Sequence, residues 1–264
     1  MNTVIIIPAR YGSTRLPGKP LAHIKGKSMI YRTWLIAKAV THINEVYITT
    51  DDERIFEEAC RFNAKVLMTS TDCTNGTERV FEAVNQLEKS PDIIINLQGD
   101  AVLTPPWVIQ SLVDTMQGDS TIALATPAVK LNWQQYDAMN TAKSQGEVGG
   151  TLVTFDHNHN ALYFSKTMIP FVRNRNTPEP HVYRHIGLYA YTMATLKKYL
   201  SLAPSELEKT EKLEQLRALE YGIPIKVVIV DYRGRTHGSV DSPEDITRVE
   251  EIIAREGELI DFLT

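Results

Sequence analysis

Cysteine is scarce in this chain of 264 residues. Cys60 and Cys73 are its two, too few for a disulfide framework and without metal-ligand spacing, so both are expected as reduced core or loop residues. Long apolar runs are also missing. Val4-Ile5-Ile6-Ile7 is too short to span a membrane, and no positive segment precedes it as in a secretion signal, so no membrane insertion and a cytoplasmic location are expected. There is no basic excess. With 28 Lys+Arg against 32 Asp+Glu the formal net charge is -4, which argues against a nucleic-acid binder with a broad basic surface and makes any phosphate affinity local. No internal repeat, low-complexity tract or linker interrupts the chain, so one elaborated domain over residues 1–264 is expected.

What is present is ordinary for a soluble globular protein, 43% hydrophobic and 23% charged residues, with length enough for a substantial core. The run Val4 to Ile7 reads as a buried strand. It leads into Ala9-Arg10-Tyr11-Gly12-Ser13-Thr14-Arg15-Leu16-Pro17-Gly18-Lys19-Pro20, which combines basic side chains with glycine and proline. An α/β fold presents amides and cations to an anion in this way, at a strand's C-terminal edge. The stretch is not a Walker A loop, since five residues rather than four separate Gly12 from Gly18 and Pro20 follows the Gly-Lys pair; nor does it hold the dinucleotide fingerprint. By spacing alone it reads equally as a phosphate loop of another kind or as a solvated strand-to-helix connection.

Strand and helix patterns then alternate. Ser28 to Thr41 has helical spacing, Val46 to Thr50 reads as a strand, and Asp51-Asp52 as the cap of a helix carrying Ile55, Phe56 and Ala59 inward. Val66 to Met68 and Ile93 to Leu97 are further strands, separated by a helical pattern through Val80, Ala83, Val84 and Leu87. Pro105-Pro106 open a helix, and Ile122 to Ala125 reads as another strand. This alternation predicts an α/β fold with a mostly parallel sheet covered on both faces.

In the second half, Asn140 to Gly150 reads as a loop and Thr151 to Phe155 with Ala161 to Phe164 as paired strands. Between them Asp156-His157-Asn158-His159-Asn160 is expected as a polar turn and not a metal site. Ile186 to Tyr191 and Lys226 to Val230 are strand-like. Lys212 to Tyr221 is helical by residue type, and Ser242 to Arg255 is a helix opened by Ser-Pro-Glu-Asp.

Asp100 ends an apolar strand and so reaches the same edge as the first loop, where Mg²⁺ commonly takes one or two carboxylates together with substrate phosphates. Asp241 is a second candidate, although in isolation it reads as a helix N-cap.

The ordered set Ile7-Pro8-Ala9-Arg10-Tyr11-Gly12-Ser13-Thr14-Arg15-Leu16-Pro17-Gly18-Lys19-Pro20, Gly76-Thr77-Glu78-Arg79, Gln98-Gly99-Asp100, Leu162-Tyr163-Phe164-Ser165, Arg184-His185-Ile186-Gly187-Leu188-Tyr189, Leu213-Glu214-Gln215-Leu216-Arg217 and Val240-Asp241-Ser242-Pro243-Glu244-Asp245 resembles the 3-deoxy-manno-octulosonate cytidylyltransferase family. The resemblance covers almost the whole chain. It implies a Rossmann-like, glycosyltransferase-A type nucleotidyltransferase, with a smaller β-containing acceptor and dimerisation region inserted at about residues 135–200. It further implies a homodimer that couples CTP to a 2-keto-3-deoxy sugar acid with Mg²⁺. Arg10, Arg15 and Lys19 would contact the triphosphate, Ala9, Ser13, Gly76 and Thr77 would help hold the nucleotide, and Asp100 and Asp241 would be the metal ligands. Arg15, Lys19, Asp100 and Asp241 would thus carry the catalysis.

The sugar acid would meet Arg79, Gln98, Lys166, Arg173, His185, Tyr189, Glu214 and Gln215. Three departures from the family pattern stand out: Ala101-Val102 where Glu-Pro is usual, Lys166 where arginine is usual, and the stretch Asn140 to Gly150. They leave the phosphate loop and both aspartates intact and extend the expected acceptors to a related, including an amino-substituted, ulosonic acid. The alternatives are a nucleotidyltransferase for another sugar acid or a sugar phosphate, and a non-catalytic CTP-binding regulatory protein.

Overall fold

The computed structural model describes residues 1–13 and 15–260. The chain runs through β1 (Thr3–Ala9), a 3-10 turn (Lys19–Leu21), a short hairpin of β2 (His23–Ile24) and β3 (Lys27–Ser28), α1 (Met29–Lys38), β4 (Glu45–Thr50), α2 (Glu53–Arg61), β5 (Lys65–Met68), α3 (Gly76–Val84), β6 (Ile93–Asn96), α4 (Pro106–Gly118) and β7 (Leu124–Lys130). It continues with α5 (Trp133–Ser144), β8 (Leu152–Phe155), β9 (Ala161–Ser165), β10 (Tyr183–His185), β11 (Tyr189–Thr192), α6 (Met193–Leu200), α7 (Glu206–Glu211), α8 (Gln215–Glu220), β12 (Lys226–Val230) and α9 (Pro243–Glu256). Among the described residues no helix is long and apolar enough to cross a membrane.

The sheet is ordered β5-β4-β1-β6-β11-β7. β5, β4, β1 and β6 pair in parallel, as do β7 and β12, while β11 runs antiparallel between β6 and β7. β1 is buried at every position because the sheet is covered on both faces. Ile5 and Ile7 join the cluster beneath α1, α2 and α4, and Val4 and Ile6 join the one beneath α3, α6 and α8. A β-branched run without alternation is what two apolar faces require, and each isoleucine contributes about 1.5–3 kcal/mol by leaving water.

β10, β8 and β9 extend from β7 as an antiparallel set. This set curls back on β12: Ala161 N donates to Ile225 O at 2.8 Å and Val227 N to His159 O at 2.7 Å, so β7, β10, β8, β9 and β12 form a ring of neighbours. The Asp156–Asn160 segment at its rim is the expected polar turn. The Asp156 carboxylate accepts from the backbone of Asn158 and Asn160 at 2.9 and 2.7 Å.

Four elements differ from the sequence expectations. Asn140 to Ser144 is the end of helix α5 rather than loop. No α5 residue is fully buried, so it lacks an apolar stripe, and it rests on a reciprocal Asn132/Gln135 capping box and the edge-on Trp133–Tyr136 contact. The strand read from Ile186 begins only at Tyr189, as β11; Ile186 to Leu188, with the exposed Gly187, form the connection from β10. The strand read at Ile122 begins at Leu124 and passes through Pro127, whose carbonyl accepts from Ile186 N at 3.0 Å. The helix read from Lys212 starts at Gln215, because Lys212 takes a left-handed φ of 55°.

Candidate active site

β1 and β6 are parallel neighbours with Ile6 opposite Asn96, so the loops that follow them leave the same edge of the sheet. The loop after β1 folds onto Tyr11, whose carbonyl accepts from Ser13 N at 2.8 Å and Gly18 N at 2.9 Å. Gly18 sits at φ 68° with the Tyr11 ring 3.0 Å from where a Cβ would be, which leaves only glycine at this turn. The Arg54 guanidinium lies 3.3 Å from the centre of the Tyr11 ring and covers it from outside. Lys19 thereby enters its 3-10 turn aimed across the sheet edge.

Lys19 Nζ donates to Asp100 Oδ2 at 2.5 Å and to Asp241 Oδ1 at 3.0 Å, and Arg15 Nη2 lies 3.1 Å from the same Asp241 oxygen. Asp100 is carried by the turn after β6, where Ala101 N donates to Gln98 O at 3.1 Å. That turn crosses β1 so closely that a Cβ on Gly99 would stand 2.9 Å from Pro8 O. Asp241 is not the N-cap of α9. Ser242 is, within a capping box closed by Asp245, and the Asp241 backbone N–H itself donates to Asp245 Oδ2 at 2.8 Å. The Asp241 carboxylate is therefore left to face Lys19. Val240, buried with Ile24, Met29, Val102 and Leu103, anchors the chain one residue before Asp241.

These groups open on a cavity of about 350 Å³ whose walls include Ala9, Arg10, Ser13, Arg15, Lys19, Gly76, Arg79, Gln98, Asp100 and Asp241. Gly76 is the first residue of α3, behind the N-cap Asn75, whose side chain accepts from Glu78 N at 2.9 Å. The positive end of that helix thus faces the same space as the basic loop. Asn75 and Cys73 also line the cavity. Asn75 was legible as the cap of a pattern closed by Glu78 three residues on; nothing marked Cys73, whose thiol donates to Glu82 Oε2 at 3.1 Å and is pushed up to about 11 chiefly by burial.

The remaining candidates fall in three places. Arg79 reaches the cavity wall, but its buried guanidinium is engaged with Asp51 Oδ2 and Thr69 Oγ1, both at 2.7 Å. Thr77 is buried and turned from the cavity, donating to Glu214 Oε2 at 3.1 Å. It joins the nucleotide side to a second cluster of Glu214, Gln215, His185 and Tyr189. Burial pushes the Glu214 carboxyl up, and Gln215 Nε2 is buried without a hydrogen-bond partner among the described residues. His185 packs against Phe164 and Tyr189 at 5.0 and 5.6 Å between ring centres, and burial brings its pKa down to about 3, so the imidazole is neutral. The Thr126 hydroxyl donates to Leu188 O at 2.8 Å, and its oxygen lies 2.8 Å from His185 Nε2.

Lys166 and Arg173 do not line the cavity. The Lys166 backbone N–H donates to Glu211 Oε2 at 3.0 Å and its carbonyl accepts from Lys143 Nζ, while Arg173 is exposed on the irregular segment between β9 and β10.

Residues 4–227 match the Cytidylyltransferase family. The 3-deoxy-manno-octulosonate cytidylyltransferase of Maricaulis maris is 50% identical over 260 residues, covering 98% of this chain and 100% of that protein. The 8-amino-3,8-dideoxy-manno-octulosonate cytidylyltransferase of Shewanella pealeana is 44% identical over 249 residues, 93% and 96% of the two chains. The solved structure of CMP:2-keto-3-deoxy-manno-octonic acid synthetase complexed with CTP superposes with a TM-score of 0.85 at 35% identity, covering 97% of this chain and 100% of that one. A sheet edge that gathers a basic loop, a helix N-terminus and two aspartates is thus accompanied by full-length likeness in sequence and fold, and the chain belongs to the 3-deoxy-manno-octulosonate cytidylyltransferase family of CTP-dependent cytidylyltransferases.

Proposed function

We propose that this enzyme transfers the cytidylyl group of CTP to a 2-keto-3-deoxy sugar acid, Kdo or its 8-amino analogue, releasing pyrophosphate, and that it works as a cytoplasmic homodimer with Mg²⁺. The observation that carries the reading is the Lys19 ammonium seated between Asp100 and Asp241 at the mouth of a cavity walled by Arg10 and Arg15. That ammonium is a stand-in for a metal: the paired carboxylates already hold a cation, and their hard oxygen donors suit Mg²⁺. Among the described residues no group of three or more His, Cys, Asp or Glu side chains is gathered to hold a metal, so the fit rests on two carboxylates, a number Mg²⁺ accepts when phosphates and water complete its shell.

In the transfer, the anomeric oxygen of the sugar acid bonds to the α-phosphorus of CTP as the bond from that phosphorus to the β-phosphate bridging oxygen breaks. Pyrophosphate departs, and the hydroxyl proton passes to solvent without an obligatory side-chain base. Asp100 and Asp241 would hold Mg²⁺, which when bound would supply positive charge beside the α-phosphate and lower the pKa of the attacking hydroxyl. Arg10, Arg15 and Lys19 answer the charge of the triphosphate and of the leaving pyrophosphate, with Lys19 and Arg15 passing from carboxylate to phosphate oxygens as CTP enters. Ala9, Ser13, Gly76 and the Thr77 region hold the nucleotide in place. Gln98, Arg79, His185, Tyr189, Glu214 and Gln215 orient the acceptor, with Lys166 and Arg173 closing over it from the β9–β10 side.

A pyrophosphate-release screen of CTP and other nucleoside triphosphates against Kdo, 8-amino-Kdo and sialic acids, with and without Mg²⁺, tests this reading. Turnover is expected with CTP and one of the first two acids and is expected to need the metal. Asp100→Asn and Asp241→Asn should each lose roughly a hundredfold or more in kcat. Release with no sugar acid in the screen, or normal turnover in either variant, refutes it. Light scattering on the purified protein checks the dimer.

A further inference from the structure

On β10, Arg184 precedes His185 and therefore projects from the opposite face of the sheet. There it meets the segment that follows β12. Arg184 Nε and His237 Nδ1 are buried at this place without a hydrogen-bond partner among the described residues, next to the Tyr232 hydroxyl, whose polar neighbour is the buried Thr104 side chain. The Tyr232 and His237 rings stand edge to face with centres 5.5 Å apart, and Tyr232 is 4% exposed. Both rings lie within the electrostatic reach of the Arg184 guanidinium. Burial, with Arg184 beside it, brings His237 down to about 3, so its imidazole is neutral.

No carboxylate pairs with Arg184 among the described residues. Its charged neighbours are the cations Arg248 and Lys143, and Arg248 already has Asp245 at 2.7 Å. A largely buried guanidinium beside other cations, with unsatisfied donors around it, is costly in a protein unless an anion completes it. Water alone would satisfy the hydrogen bonds and leave the charge unanswered.

We propose that Arg184, Tyr232 and His237 form a binding site for a small oxyanion, either the carboxylate of a sugar acid or free phosphate. Arg184 supplies the charge, and the Tyr232 hydroxyl and a His237 Nδ1–H supply neutral donors. The site joins β10 to the segment that carries Asp241. His237 precedes Asp241 by four residues, at most about 14 Å of chain, and a Cβ on the intervening Gly238 would lie 3.3 Å from Leu103, which follows the Asp100 turn. Occupancy therefore braces the segment that delivers the Asp241 carboxylate. Only the sugar-acid source rests on the function proposed above.

Calorimetric titration of the full-length protein tests the site, with inorganic phosphate and with Kdo in separate runs, in saturating CTP without Mg²⁺ so that the triphosphate loop is filled. Besides the acceptor site that Kdo also fills, one saturable site for at least one of the two anions is expected. Arg184→Met should weaken it at least about tenfold and should raise the melting temperature of the anion-free protein, because a buried charge without a partner has been removed. His237→Phe keeps the edge-on packing, loses the Nδ1 donor and should weaken the same anion; it decides the question if Arg184→Met does not fold. A loss confined to phosphate makes the ligand a free oxyanion, and a loss confined to Kdo makes it the sugar-acid carboxylate. Binding unchanged in both variants, no saturable binding of either anion, or a lower melting temperature for anion-free Arg184→Met overturns the proposal. A wild-type protein that releases no pyrophosphate from CTP with Kdo refutes the substrate reading separately and leaves the phosphate runs to decide this one.

Discussion

Lys19 occupies the space between the two aspartates that a divalent cation would need, so replacing it with methionine should make the nucleotide-free enzyme a better metal binder and a worse catalyst. The two ammonium contacts, at 2.5 and 3.0 Å, are sheltered by side chains only 14% exposed for Lys19 and 26% for Asp100, while Asp241 at 39% is more open. A sheltered hydrogen bond to a charged group nets about 1.5–3 kcal/mol, and exposure of Asp241 discounts the second contact. Taking about 1.5–3 kcal/mol for the pair, at about 1.4 kcal/mol per tenfold, Lys19→Met should bind metal roughly 10- to 100-fold more tightly without nucleotide. Methionine keeps most of the aliphatic stem, which limits the change to the charge. Mn²⁺ titration followed by electron paramagnetic resonance in the absence of CTP reads this directly, and pyrophosphate release should fall at least about a hundredfold in the same protein as the leaving group loses a cation. If the variant binds Mn²⁺ no more tightly than the wild type, Lys19 is not competing for these carboxylates and the reasoning fails.

Gly99→Ala would push a methyl to 2.9 Å from Pro8 O, so denaturation should shift by about 1–3 kcal/mol and kcat should drop as Asp100 moves; wild-type stability with wild-type turnover would disprove the close approach. Glu214 has a folded pKa raised above its ordinary 4.5 by burial, so its contribution to stability is complete below that value and is lost as pH climbs through the raised pKa, the unfolded chain releasing its proton first. Glu214→Gln should therefore melt progressively higher than the wild type as pH rises from 4.5 toward neutrality, and parallel melting curves across that range would remove the linkage. Asp52→Ala should cost about 1 kcal/mol by stripping the cap that accepts from Arg54 N at 3.0 Å, a loss readable by chemical denaturation.

The fold was most legible where packing is symmetrical. Ile5 to Ile7 and Ile93 to Ile95 are β-branched runs because each strand is buried on both faces, and their parallel register follows from the helices between them. From this the position of Asp100 beside the first loop was readable without a relative. Asp241 was not, because its placement depends on β12 pairing with β7 and on Val240 sinking into a pocket formed by α9 and by two distant segments, Ile24 to Met29 and Val102 to Leu103. Helix α5 escaped notice since capping and aromatic contacts hold it with no apolar period to detect. By local rules Tyr189 reads as a core aromatic, His185 as a satisfied strand histidine and Glu214 as an exposed helix charge, and only the resemblance singled them out together with Gln215. The interruption between β10 and β11 leaves no signal in a run that otherwise reads as one strand.

The bond from Lys19 to Asp241 spans 222 residues of sequence, and that to Asp100 spans 81. This spacing sets an order of assembly. Once α3 and β6 have left the ribosome, the parallel neighbours β5, β4, β1 and β6 can pair and present the basic loop with Asp100, a surface able to attract phosphate. The second carboxylate arrives only after β12 has added to β7 and α9 has capped behind Ser242, and such long-range contacts close late. A growing chain can therefore present the basic loop well before it has the carboxylate pair that the proposed transfer needs, so that pair is complete only once β12 and α9 have joined the sheet edge.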